Sequence, residues 1–323
     1  MRNELEKIIT HWMEQDASVL FLAADIGGGL YKKLAERFPR RVTNVGIAEQ
    51  NMIGMAAGLT DMGFRVICYS KACFISLRVA DQIKNALCYA QKNVLLIGAD
   101  AGYDEANAGH PHIALEDLGI AQSFPGMDIY MPTTFHGLHN IFSVLRDSDR
   151  PSYLRINKGK LEESGREFRD VGFALYYLKE TGRAQTLAIS YGCAVIEAMR
   201  IAEKNPGTNV LAMDSFSIDD DALLEEVRRY ERMLVVEEQF ERNGLYDYLC
   251  RWMVRHYVTD IALERMGPEF SYRKHCFDRE TALAEERKRY GDKYDGNEGS
   301  ETADGTDAAS GQDSYGHAAI HAN

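Results

Sequence analysis

Short apolar stretches alternate with segments of helical periodicity along most of this chain, and this alternation constrains its fold more than any other feature. The stretch Val42–Gly58 shows the pattern on a small scale: a β-branched run, Gly46 as a turn, and then apolar residues at helical spacing. Strands that are joined by helices form parallel sheets covered on both faces. We therefore predict an α/β fold with a parallel-sheet domain, followed by a smaller α/β domain.

The domain boundaries are predicted from local composition. Residues 1–160 form the first predicted domain, and 161–183, where polar residues show no clear period at the start, form the linker. The second domain is predicted over 184–275 and a charged helix over 276–290. Residues 291–323 are rich in Gly, Ser, Asp and Ala, so they bury too little apolar surface to offset their ordering cost. We predict that this acidic tail is disordered.

The composition excludes several classes of function. The chain has 323 residues, 45% of them hydrophobic, and a formal net charge of −12, which argues against nucleic acid as a partner. Its apolar runs are far shorter than the roughly 20 residues that span a bilayer, and its N-terminus lacks the apolar core of a signal peptide. Six cysteines without a Cys-x-x-Cys pair indicate reduced thiols in a cytoplasmic protein.

Glu49 follows the Gly46 turn, in the first turn of a predicted helix. A carboxylate there is usually explained by the helix dipole. However, the run Asn-Val-Gly-Ile-Ala-Glu-Gln-Asn-Met-Ile-Gly-Met-Ala-Ala-Gly-Leu over 44–59 closely resembles the signature of the pyrimidine-binding domain of transketolases and 1-deoxyxylulose-5-phosphate synthases. The resemblance extends from about 25 to 159, with a weaker match to the family's C-terminal domain. It implies that Glu49 hydrogen-bonds the aminopyrimidine of thiamine diphosphate and relays a proton during catalysis.

The resemblance implies further contacts with this cofactor. Phe74 falls where the family places an aromatic residue that packs against the pyrimidine ring. Asp25 and Ile26 match the family's Asp-Leu pair next to the cofactor. Three residues before Phe74 the family often has a second aromatic residue, and here it is Lys71, which brings a cation near the cofactor or the substrate channel.

A loop with two histidines carries the implied substrate contacts. The loop Ala101–Asp117 is similar to the family's loop between an Ala-Gly pair and a His-Gln-Ala-Leu-Glu-Asp run, and His112 matches the family's substrate-binding histidine. His110 is a second imidazole in the same loop, and imidazoles titrate near neutral pH. Ala108 replaces a family acid that contacts a sugar hydroxyl, and Ile113 replaces a common Gln. The resemblance therefore implies catalysis by His112 with altered recognition of sugar hydroxyls.

Two residues give opposite indications about a substrate phosphate. Arg155 matches a family arginine that grips the phosphate, a task that suits a planar guanidinium. Asp100 stands where the family has another phosphate-binding histidine, and a carboxylate beside a phosphate is unfavourable unless a cation intervenes. We expect a non-phosphorylated, modified or carrier-bound ketose rather than an ordinary sugar phosphate.

A partner subunit is implied by what the chain does not contain. Family members bind the diphosphate and its Mg²⁺ with a separate domain that carries a Gly-Asp-Gly … Asn motif, and this sequence has no such segment. We therefore expect the C-terminal subunit of a split transketolase, paired in an α2β2 assembly with an N-terminal subunit that holds the Mg²⁺.

Other functions remain open at this point. One alternative is the β subunit of a thiamine-dependent complex that decarboxylates 2-oxo acids, which the Gly-Ile-Ala-Glu-Gln wording and the loop around His112 disfavour. Another is a non-catalytic assembly subunit, which the departures at Lys71, Asp100 and Ala108 keep open. A deoxyxylulose-phosphate synthase is less favoured, because its loop before the histidine is one residue shorter.

Overall fold

A six-stranded parallel sheet organises the first domain. The computed structural model describes residues 1–26, 28–159, 161, 163–272 and 277–290, so the predicted disordered tail, 291–323, lies outside the described residues. The strand order is β2-β1-β3-β4-β6-β5. The elements are α1 Arg2–Gln15, β1 Val19–Ala23, α2 Gly29–Arg37, β2 Val42–Asn44, α3 Glu49–Asp61, β3 Arg65–Lys71, α4 Ala80–Gln82, β4 Val94–Ala99, α5 Asp117–Gln122, β5 Asp128–Tyr130, α6 Phe135–Leu145 and β6 Ser152–Ile156.

Helices cover both faces of this sheet, as the alternation of strands and helices predicts. Neighbouring residues of β1 point to opposite faces, so Phe21 packs in one apolar cluster and Leu22 in another. The helix α1 buries Leu5 and Ile9, four residues apart, in the cluster of Phe21. The helix α3 buries Met52 in the cluster of Leu22. Both faces of the parallel sheet are therefore covered by helices, so a ligand can reach only its edges and loops.

The segment after β3 differs from its prediction. The sequence pattern predicts one helix over 77–90, whereas the structure has π-helical turns at Phe74–Arg78 and Ile83–Cys88 that flank the short α4. A π turn holds one more residue than an α-helical turn and occurs often at functional sites. Here it brings the side chains of Phe74 and Arg78 together.

The second domain contains a mixed sheet in the order β12-β11-β9-β10-β8-β7. Part of the range predicted as linker, 161–183, belongs to this sheet: β7 and β8 pair antiparallel with each other, and β8 pairs antiparallel with β10. The apolar and aromatic run of β8 is almost wholly buried. The elements are β7 Arg169–Gly172, β8 Leu175–Lys179, β9 Thr186–Ser190, α7 Val195–Lys204, β10 Thr208–Met213, α8 Asp220–Val227, β11 Arg232–Val236, α9 Leu245–Arg255, β12 Ala262–Met266 and α10 Arg279–Tyr290.

Asp214 links the two domains through a dry hydrogen-bond cluster. Its carboxylate accepts bonds from the backbone N–H and the hydroxyl of Thr133, at 3.0 and 2.6 Å, and from the hydroxyl of Tyr176 at 2.8 Å. Burial of this group raises its pKa to about 7. The domains are thus joined by polar contacts that exclude water. Across the described ranges, the chain contains no helix with the length and apolarity needed to span a membrane.

Candidate active site

Glu49 is the first residue of α3 and lies at the carboxyl edge of the parallel sheet. Gly46, with φ of +78°, makes the turn that leads into this helix. The Glu49 carboxylate is only 2% exposed; it accepts a 3.2 Å bond from the hydroxyl of Ser70 and a 2.8 Å bond from the guanidinium of Arg78. Ser70 is buried on β3, so the acid is oriented from within the sheet.

Phe74 and His112 lie beside this acid. The Arg78 guanidinium that bonds Glu49 also lies 4.3 Å from the centroid of the Phe74 ring. The His112 ring packs edge-on with Phe74, with 5.3 Å between the ring centroids. The structure thus joins three predicted site residues, Glu49, Phe74 and His112, through a chain of contacts, and adds Arg78, which the sequence interpretation did not select.

An open depression of about 420 Å³ adjoins these residues and is large enough for part of a small-molecule ligand. His110 lines it and packs against Tyr272 with ring centroids 4.3 Å apart, and burial lowers the pKa of His110. Tyr272 and Glu116 are further lining residues that the sequence interpretation missed; Tyr272 comes from the second domain, far away in sequence. The lining residues are Cys73, Phe74, Leu77, Arg78, His110, Pro111, Ile113, Glu116 and Tyr272.

Lys71 and Asp100, the two unexpected charges, contact each other. The Lys71 ammonium lies 2.6 Å from a carboxylate oxygen of Asp100 and 2.8 Å from one of Glu105. The guanidinium of Arg2 also pairs with the buried Asp100 carboxylate. Lys71 and Asp100 therefore belong to one cluster of balanced charges, in which the cations next to Asp100 neutralise its buried carboxylate.

Arg155 lies at the domain junction, away from the depression. Its side chain is 1% exposed; it donates to Asp117 at 3.0 Å and to the backbone carbonyls of Ala114 and Glu238 at 3.3 Å each. The side chain of Asn157 accepts a further bond from this guanidinium at 3.3 Å. The donors of Arg155 are thus engaged within the protein, and its contact with a substrate phosphate remains a prediction.

Asp25 and Ile26 follow β1 beside the turn that leads to Glu49. The backbone N–H of Asp25 donates to the side chain of Asn44 at 3.0 Å, and the Asn44 amide donates back to the Asp25 carboxylate at 3.0 Å. Asn44 also accepts from the N–H of Gly46 at 2.9 Å. Asn44 thus ties the end of β1 to the turn before α3. The proposed contacts of Asp25 and Ile26 with a cofactor remain predictions.

Clusters of metal-ligating side chains were sought around this site and elsewhere in the described part of the chain. Within the described ranges, no three His, Cys, Asp or Glu side chains cluster closely enough to hold a metal ion. This part of the molecule brings together a buried carboxylate, an aromatic ring, a guanidinium and two imidazoles, of which the aromatic ring, the guanidinium and the imidazole of His110 line the depression.

Comparison with known proteins gives one matching domain family and several similar transketolase components. The family described as the pyrimidine-binding domain of transketolase matches residues 1–163, half of the chain. The 6-deoxy-6-sulfo-D-fructose transketolase subunit of Clostridium sp. strain MSTE9 is 29% identical over 252 residues, covering 76% of this chain and 78% of the relative. An apulose-4-phosphate transketolase subunit of Phocaeicola vulgatus is 28% identical over 244 residues, covering 72% of this chain and 76% of the relative.

Among solved structures, a split-gene transketolase described as an inactive β4 tetramer has a TM-score of 0.72 to this chain. The two are 25% identical, and the match covers 90% of this chain and 92% of the other. The likeness therefore extends over both domains rather than the first alone.

Proposed function

Because the chain belongs to the transketolase family, whose pyrimidine-binding domain it matches over residues 1–163, we propose that it is the C-terminal (β) subunit of a split, transketolase-like enzyme. The enzyme transfers a two-carbon ketol unit from a ketose donor to an acceptor aldehyde by means of thiamine diphosphate. The observation that carries this proposal is the Glu49 carboxylate, 2% exposed, which shares one connected set of contacts with Phe74 and His112.

The residues present fit the pyrimidine end of this cofactor. A buried carboxylate beside a partly exposed aromatic ring matches a planar heterocycle that needs one hydrogen-bond acceptor and one stacking surface. In the proposal Glu49 and Phe74 hold the aminopyrimidine, with Asp25 and Ile26 next to it. The diphosphate and Mg²⁺ are assigned to a partner subunit.

Each side chain has one task in the proposed mechanism. Thiamine diphosphate, when bound, supplies the nucleophilic carbon that accepts the ketol unit. Glu49 would hold the pyrimidine ring of the cofactor by a hydrogen bond and serve as its proton donor and acceptor, and Ser70 keeps the Glu49 carboxylate oriented through its 3.2 Å hydrogen bond. His112 binds the ketose oxygens and moves a proton at the substrate, and His110 lies in the same loop as a further substrate contact.

The proposed donor is not an ordinary pentose or hexose phosphate. Arg155 is sealed in the domain junction, and Lys71 is shared between the carboxylates of Asp100 and Glu105, so neither is a free anion receptor. Ala108 and Ile113 lack the polar groups that the family directs at sugar hydroxyls. Two relatives named for 6-deoxy-6-sulfo-D-fructose and for apulose 4-phosphate support an unusual ketose in this position.

An open face of α3 supports the proposed assembly. A side chain added at Gly54 or Gly58 would meet no atom within 4 Å, so another backbone can approach this face closely. Ile47, Met55 and Leu77 are exposed apolar side chains of the same region. We assign this surface to the N-terminal subunit in an α2β2 heterotetramer.

Reconstitution tests the proposal. The chain is assayed for transfer of a two-carbon unit with thiamine diphosphate and Mg²⁺, first alone and then mixed with a subunit that carries the Gly-Asp-Gly … Asn segment. Activity is expected only in the mixture, as the inactive β4 assembly of a similar split transketolase suggests. Turnover of ketoses by the chain alone at an ordinary rate would contradict the split architecture, and activity of the mixture only on 2-oxo acids would contradict ketol transfer.

A further inference from the structure

Arg78 contacts two side chains of the candidate site at once. One guanidinium nitrogen lies 2.8 Å from the Glu49 carboxylate, and the centre of the guanidinium lies 4.3 Å from the centroid of the Phe74 ring. Glu49 and Phe74 are the two side chains that the proposed function assigns to the pyrimidine of the cofactor. A single side chain of the protein therefore makes both kinds of contact expected of that ring.

The chemistry of a guanidinium explains why one side chain makes both contacts. The group is planar, carries N–H donors in its plane and stacks on aromatic faces. An aminopyrimidine is also planar, hydrogen-bonds a carboxylate at its edge and stacks through its face. The two groups would therefore compete for the Glu49 carboxylate and for the Phe74 ring.

The position of Arg78 favours exchange over permanent occupation. Its side chain is 42% exposed, whereas the carboxylate that it contacts is 2% exposed. The turn Phe74–Arg78 is anchored by the buried Ile75 and Ser76, and the backbone carbonyl of Arg78 accepts a 3.2 Å bond from Gln50. The guanidinium can therefore move into solvent while the backbone stays in place, and a partly exposed ion pair is weak enough to be displaced.

We propose that Arg78 fills the pyrimidine site of the cofactor-free subunit and leaves it when thiamine diphosphate binds. The inference rests on the proposed function. Arg78 is a positioning residue: it keeps Glu49 and Phe74 in place before the cofactor arrives, and it lowers the apparent cofactor affinity by the fraction of molecules in which it occupies the site.

Calorimetric binding of thiamine diphosphate with Mg²⁺ to the complex of this chain and its partner subunit tests the inference. Arg78→Met keeps an apolar stem but removes the competing donors, so its dissociation constant should be about 10-fold lower than that of the wild type, as expected for a site occupied about 90% of the time. Arg78→Lys keeps the charge but not the planar fork and should give an intermediate value. Lys84→Met removes an equal charge from an exposed position nearby and should leave the constant unchanged.

The possible results separate this inference from the proposed function. If the wild type binds the cofactor and Arg78→Met binds it equally well or more weakly, the inference is overturned. Arg78 would then support Glu49 in the loaded enzyme. Tighter binding by Lys84→Met to the same degree would also overturn it, because charge alone would account for the change. If no variant and no wild-type complex bound the cofactor, the proposed function would fail, and the inference with it. Thermal unfolding of each cofactor-free chain verifies that the variants are folded.

Discussion

Two arginine–carboxylate pairs in the first domain have the same chemistry and opposite surroundings. Arg155 and Asp117 are 1% and 0% exposed and lie 3.0 Å apart, among backbone carbonyls from both domains. Arg78 and Glu49 lie 2.8 Å apart, but the Arg78 side chain is 42% exposed. The first pair is enclosed on all sides, whereas the second opens on the depression.

This contrast explains how one molecule separates stability from function. Removal of one partner from a buried pair leaves an uncompensated charge in a dry environment, which is costly even where the pair itself adds little stability. A pair that borders solvent adds little and is easily exchanged. The junction around Arg155 is therefore suited to hold the domains in one arrangement, and the pair at Glu49 is suited to give way to a ligand.

The largest expected effect is on catalysis at the open pair. Glu49→Gln keeps the size of the side chain but removes the charge that the proposed proton relay needs. Turnover of the reconstituted enzyme should fall by roughly 100- to 10,000-fold, the usual contribution of general acid–base catalysis. Initial rates of ketol transfer measure this. Glu6→Gln serves as the matched control, because Glu6 is an acid of α1 that pairs with Lys33 of α2. Unchanged turnover would favour a non-catalytic assembly subunit.

The enclosed pair should dominate stability. Arg155→Met leaves Asp117 buried without its cation and should lower the free energy of unfolding by about 3–5 kcal/mol. Arg78→Met should change it by less than about 1 kcal/mol, because the Arg78 side chain is itself 42% exposed and Glu49 keeps its hydrogen bond from Ser70. Urea unfolding of the isolated chain measures both values. Equal losses in the two variants would abolish the distinction between the pairs.

The sequence predicts much of this molecule but not this distinction. Strand and helix periods predict the parallel sheet, and the turn before α3 predicts where Glu49 lies, since both depend on local pattern. The burial of Arg155 depends on the Glu238 carbonyl, 83 residues away, which no local pattern reveals. Arg78 could have been noticed at four residues from Phe74, but its contact depends on the π turn Phe74–Arg78, most of which precedes the helix predicted over 77–90.

The second sheet shows the same limit of local patterns. The polar residues at the start of 161–183 indicate a linker, yet the later run Leu175–Lys179 becomes a buried strand because it pairs with β10. The apolar residues of that run were a signal for a strand. Its antiparallel pairing and the contact of Tyr176 with Asp214 are set by tertiary structure.

A pH titration should give the next smaller effect, at the junction. Burial raises the pKa of Asp214 to about 7 in the folded chain, whereas its ordinary value is 3.8. Between these values the unfolded chain ionises first, so folded stability should fall as pH rises from about 4 to about 7. Asp214→Asn is neutral throughout, so across this window its free energy of unfolding should rise relative to that of the wild type by about 4 kcal/mol, the equivalent of a shift of about three pKa units, and then level off. Urea unfolding at several pH values measures this; a constant difference would contradict a raised pKa.

The smallest expected effect concerns a pair of intermediate burial. Lys71 is 24% exposed and Asp100 is 1% exposed, and both have a second partner, Glu105 for the lysine and Arg2 for the aspartate. A double-mutant cycle with Lys71→Met and Asp100→Asn isolates their coupling in urea unfolding, which should be about 1 kcal/mol, between the values expected for the open and the enclosed pairs. Because each residue keeps a partner when the other is removed, neither single change leaves a bare charge. A coupling energy as large as the loss of unfolding free energy in Arg155→Met would show that exposure alone does not determine the strength of these pairs. The shared partners would then make the cluster act as one unit.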